Sequence, residues 1–93
     1  MKALVDGKVY DTDTSYLIKY VVRQEDLGSG YIRLTEMGLY YRKKKNDYFL
    51  YIRKIATEGN SKVIDIQDYF YPASVEFARS FNRKYDDSSL LTK

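Results

Sequence analysis

Two runs of aromatic and branched side chains, residues 39–44 (Leu-Tyr-Tyr-Arg-Lys-Lys) and 47–55 (Asp-Tyr-Phe-Leu-Tyr-Ile-Arg-Lys-Ile), meet at Lys45-Asn46. Such residues fit the pleated, half-buried surface of a strand, and asparagine tolerates the positive φ of a tight turn. The pattern predicts a β-hairpin, and a hairpin needs further layers before it is stable in water. With Lys45-Asn46 as a two-residue turn, Tyr41 opposes Leu50 and Leu39 opposes Ile52 on one face. On the other face Tyr40 opposes Tyr51, and Arg42 opposes Phe49. One face is then apolar and the other aromatic with basic residues.

The rest of the chain supplies the layers. Asp6-Gly7 suits a tight turn between two short extended pieces within residues 2–10. Asp11, Thr12, Asp13, Thr14 and Ser15 offer N-cap side chains ahead of Leu17, Ile18, Val21 and Val22, whose spacing predicts a helix over 13–23. Residues 24–30, with charge, serine and two glycines, read as a loop, and 31–36 alternate as a half-buried strand. Gly38 marks a bulge or bend before the hairpin. Residues 56–62 read as a connecting turn and 63–66 as a short strand. Pro72 then opens a second helix near Ala73 or Ser74, with Phe77, Ala78, Phe81 and Tyr85 on one stripe. Residues 86–93 read as a frayed polar tail. The expectation is a single α+β domain over 1–93, a small antiparallel sheet packed against two helices. Leu17, Val21, Phe77 and Phe81 are expected to bury against the apolar face.

Composition removes most catalytic machinery. The 93 residues contain no cysteine and no histidine, so thiol nucleophiles, disulfides, Cys/His zinc sites and a Ser-His-Asp triad are excluded. Asp11-Thr12-Asp13 has the spacing of a metal-binding carboxylate pair, but its place before the predicted helix assigns it to capping. Asp65 and Asp68 lack partners at a nuclease spacing. No catalytic residue, metal site or cofactor is expected. Residues 1–8 lack the apolar run of a secretory signal and no segment approaches a membrane span, so a cytoplasmic protein without membrane contact is expected.

The candidate partner-binding residues are Tyr40, Arg42, Lys43, Lys44, Lys45, Phe49, Tyr51 and Arg53. Net charge is only +3, and the dense run Arg42-Lys43-Lys44-Lys45 matters more than the sum. At a hairpin tip these cations either guard an edge against aggregation or contact a nucleic-acid backbone. Tyr40, Phe49 and Tyr51 with Arg42 and Arg53 admit three readings: a base-stacking face, a protein-binding hot spot, or plain core beneath another layer.

Residues 8–15 (Lys-Val-Tyr-Asp-Thr-Asp-Thr-Ser) and 40–51 together resemble a family of small, mostly uncharacterised proteins of phages, plasmids and integrative elements of Gram-positive bacteria. Those sequences run G-K-x-Y-D-T-x-x-A, then L-Y-R-x-K-K-G-x-Y-F-L-Y, then a closing helix. The chain differs in Ser15 for alanine, Asn46 for the turn glycine, and Arg53-Lys54 where glycine is usual. The resemblance implies an accessory protein that binds host machinery, with inhibition of a CRISPR-Cas effector as one form. The expected function is therefore non-enzymatic binding of a host protein or nucleoprotein complex, the alternative being direct nucleic-acid binding through the basic hairpin.

Overall fold

The computed structural model describes residues 1–59 and 62–85. The expected tail over 86–93 and the centre of the expected turn over 56–62 lie outside the described residues. Six strands and one helix follow in order: β1 (Lys2–Val5), β2 (Lys8–Asp11), β3 (Tyr16–Gly28), β4 (Tyr31–Arg42), β5 (Asp47–Glu58), β6 (Lys62–Ala73) and α1 (Val75–Lys84). β1 and β2 form a two-stranded sheet, and β3-β4-β5-β6 form a four-stranded antiparallel sheet in chain order. This mostly β architecture overturns the expected α+β domain with two helices.

The helix predicted over 13–23 is the first part of β3. Ile18, Tyr20, Val21 and Val22 are β-branched or aromatic and favour a pleated surface. The register slips between Leu17 and Lys19, so the side-chain alternation shifts by one residue there. The spacing of Leu17, Ile18, Val21 and Val22 imitates a helical period in the sequence, while the bulge sends Leu17 and Val21 to opposite faces of the strand. Asp11, Thr12 and Asp13 therefore cap no helix. The Asp13 amide donates to Asp11 Oδ1 at 2.9 Å, and the Ser15 hydroxyl donates to the Asp11 carbonyl at 2.7 Å, folding the link into β3. The loop expected over 24–30 shrinks to Ser29-Gly30, whose φ values of 57° and 82° suit a two-residue hairpin turn.

Gly38 introduces neither bulge nor bend, for β4 runs straight through it and pairs it with Tyr20 and Tyr51. A Cβ there would stand 2.7 Å from the Tyr40 ring, which lies over the glycine. The central hairpin is real, with Asn46 at φ 53°, but its turn spans four residues. Leu39 pairs with Leu50, Tyr40 with Phe49, Tyr41 with Tyr48 and Arg42 with Asp47. The register thus differs by two residues from the expected one. Because strand side chains alternate with period two, an even shift keeps every residue on its expected face.

Two layers cover one end of the large sheet, the end carrying the 43–46 turn. On one face α1 buries Ala78, Phe81 and Tyr85 against Val21, Leu39 and Leu50. Ser74 caps this helix by accepting from the Phe77 amide at 3.0 Å, and Arg83 and Lys84 sit in its last turn, where they complement the dipole. Phe77 and Leu17, expected in this core, are 43% and 51% exposed, Leu17 lying on the opposite face. On that opposite face the β1–β2 hairpin, turned at Asp6-Gly7 as expected, presses Tyr10 onto Phe49. These two are 1% and 0% exposed.

Candidate partner-binding surfaces

The structure brings five of the eight candidate residues together on the face that carries the β1–β2 hairpin, Phe49 fully buried and Tyr40, Arg42, Tyr51 and Arg53 half-buried. Phe49 is the hub: Tyr40 stacks on it at 5.1 Å with an interplanar angle of 7°, Tyr10 leans on it at 5.0 Å, and Phe70 lies 6.0 Å away. Of the three readings for this face, core is the one observed for Phe49. Arg42 closes the hairpin by donating to both Asp47 oxygens, Nε at 2.6 Å, and its Nη1 donates to the Val9 carbonyl at 2.7 Å. Its guanidinium lies 4.5 Å from the Tyr10 ring centroid, a cation–π contact that pins the β1–β2 layer to the sheet. Tyr51 packs on Phe70 and donates to Asp68 at 2.6 Å, while Arg53 donates to the same carboxylate at 2.8 Å.

Electrostatics follow from these bonds. The Arg42 and Arg53 guanidiniums hold the Asp47 and Asp68 carboxyls below the usual carboxylate range. Burial, helped by the bond to Asp68, pushes the Tyr51 phenol up to about 12. Side chains engaged in this way hold the fold.

Lys43, Lys44 and Lys45 are different. All three are exposed on the turn, and none forms an ion pair among the described residues. They line a groove of about 450 Å³ together with Arg42, Lys2, Asp11, Thr14, Ser15 and Tyr16. Tyr16 is 57% exposed. A helical reading of this stretch hides it, since only a strand beginning at Tyr16 places it beside Tyr41 at the tip.

Among the described residues a second exposed surface lies at the other end of the sheet, on the face opposite α1 and past the β1–β2 hairpin. The register aligns Gln24, Leu34, Ile55 and Ile66 in one row, and Asp26, Ile32, Thr57 and Val63 in the next, on the face that carries Phe49. Val22, Val63 and Ile66 are 45%, 53% and 50% exposed. A charged row, Glu36, Arg53 and Asp68, crosses this apolar face next to Val22. The reverse face of the same half is polar: Arg33 donates to Glu25 at 2.7 and 3.0 Å beside Arg23, Thr35 and Lys54. Alternation in 31–36 points to such a surface, but no local pattern signals that no described element covers it.

Among the described residues no group of three or more acidic side chains is placed to hold a metal ion, and no helix is long and apolar enough to cross a membrane. The chain matches no family model, and no curated protein and no solved structure shows significant similarity to it.

Proposed function

We propose that this chain is a non-enzymatic binding protein of a mobile genetic element that docks on a host protein through the uncovered half of its sheet. The observation that carries the reading is the contiguous apolar face formed by Val22, Ile32, Leu34, Ile55, Val63 and Ile66. Exposed apolar patches of this kind on small domains mark interaction sites. Four strands about 4.8 Å apart and about five residues deep give a footprint on the order of 300 Å². That is well below the roughly 800 Å² per partner of a stable interface, so the patch is the centre of a wider contact with a separately folded protein. The charged row along one side fits a non-obligate partner better than a permanent self-dimer, whose interface is more apolar.

The mobile-element setting and a target such as a CRISPR-Cas nucleoprotein are supported by the resemblance carried by residues 8–15 and 40–51. The test is capture from nuclease-treated host lysate by the immobilised protein, by a Val22→Lys/Ile66→Lys variant and by a Lys43→Ala/Lys44→Ala/Lys45→Ala variant. One host protein should be held by the wild type and by the tip variant, and lost by the sheet variant. Capture that survives both sheet substitutions in a folded protein would remove this surface from consideration.

A further inference from the structure

We propose that the lysine-walled groove at the hairpin tip binds the sugar–phosphate backbone of a single-stranded nucleic acid, with Tyr16 as a stacking platform for a base. This site shares no residue with the sheet surface above and stands independently of it. The tip collects more cations than carboxylates: Lys2, Lys8, Arg42, Lys43, Lys44 and Lys45 share its two grooves with Asp11 and Asp47. Asp47, the acid nearest to Lys45 along the chain, is bound to Arg42 on both oxygens, and Asp11 uses Oδ1 to accept from the Asp13 amide. Lys43, Lys44 and Lys45 are left facing solvent without ion pairs among the described residues, with Lys2 lining the same groove. Lys8 continues the track, since a second groove of about 420 Å³ joins it to Lys45 on the other side of the turn.

Such a track matches an extended polyanion, because each phosphate neutralised releases condensed counterions. A polyanion alone does not require an aromatic ring. Tyr16, more than half exposed and lining the same groove, supplies the flat face on which unpaired bases stack, and a base within a duplex cannot reach such a ring. Thr14, which lines the same groove, offers a hydroxyl group, while the Ser15 hydroxyl donates to the Asp11 carbonyl. Asp11 in this groove and Asp47 in the groove that joins Lys8 repel phosphate and confine the backbone to the lysines.

The experiment is fluorescence-anisotropy titration of the purified chain with a labelled single-stranded oligonucleotide, its duplex, and polyglutamate, each over a range of salt. The single strand should bind most tightly, with log affinity falling against log salt at a slope of about −3, as expected for four to five contacts at roughly 0.7 each. Lys43→Ala/Lys44→Ala/Lys45→Ala should lower that slope by about 2. Arg79→Ala/Arg83→Ala, which removes charge from exposed positions on α1, should leave it unchanged. Tyr16→Ala should weaken binding about tenfold with the slope preserved, and Tyr16→Phe should restore it. Circular dichroism melts confirm that each variant is folded, and Lys44→Glu alone serves if the triple variant is not. An equal loss of slope from the α1 variant, or binding indifferent to Tyr16, overturns the proposal. So does polyglutamate or duplex binding as tight as the single strand.

Discussion

The two ends of the four-stranded sheet are built from similar residues and have opposite fates. At the tip end, Phe49 and Leu50 are neighbours in β5, point to opposite faces, and are 0% and 7% exposed, because the β1–β2 hairpin covers one face and α1 the other. At the far end Val22, Val63 and Ile66 remain about half exposed on the same kind of strand. Strand propensity and alternation are therefore insufficient to decide burial. What decides it is where the short elements at either terminus of the sheet come to rest.

The largest effect should come from breaking the covered end at its hub. Phe49→Ala removes the ring shared by Tyr10, Tyr40 and Phe70, and a fully buried phenylalanine truncated to alanine costs about 3–5 kcal/mol. Against a typical total of about 5–15 kcal/mol, chemical denaturation should show a protein at or near unfolding. Phe81→Ala, on the α1 face, should approach the same loss. Next comes the ion pair that closes the hairpin. Arg42→Met leaves Asp47 without its partner and unpins the β1–β2 layer, at a cost of about 2 kcal/mol after allowing for the partial exposure of Asp47.

A smaller effect is visible in pH. Asp47 and Asp68 have folded pKa values below the usual 3.8, so their contribution is present above that value and lost as pH falls through the depressed values. Acid titration of stability should steepen below about pH 4, and Arg42→Met should remove the Asp47 share. At the alkaline side the Tyr51 phenol, at about 12 against an ordinary 10.0, should make stability fall as pH rises from 10 towards 12. Tyr51→Phe should abolish that share of the fall.

The smallest effect on stability should come from the uncovered end, where the effect on binding is largest. Val22→Lys and Ile66→Lys should each change unfolding free energy by no more than about 0.5 kcal/mol, as substitutions on an open surface do. A loss of several kcal/mol at either position would mean that the far face is held by packing within the molecule.

Part of this architecture is legible in the amino-acid sequence alone. The Asp6-Gly7 turn, the positive φ of Asn46, the start of the final helix next to Ser74 and all of its apolar stripe but the exposed Phe77 follow from local chemistry, whereas Pro72, read as opening that helix, lies in β6 opposite Phe49. The two faces of the central hairpin come out correctly even from a two-residue turn, because the resulting register error is two residues and alternation has period two. β3 reads as a helix because the spacing of Leu17, Ile18, Val21 and Val22 imitates a helical period, while the bulge between Leu17 and Lys19 sends Leu17 and Val21 to opposite faces. Phe49 reads as exposed for a different reason: nothing local announces that Tyr10, from a distant part of the chain, covers it.

Residue-resolved native-state hydrogen exchange tests the contrast between the ends most directly, and it does so within single central strands where edge effects cancel. Leu39 in β4 and Leu50 in β5, under both layers, should exchange only through global unfolding, whereas Arg33 and Ala56 in the same strands should exchange about tenfold faster or more through local opening. Equal protection along the full length of β4 and β5 would contradict the division of the sheet into a covered end that holds the fold and an open end that is free to bind.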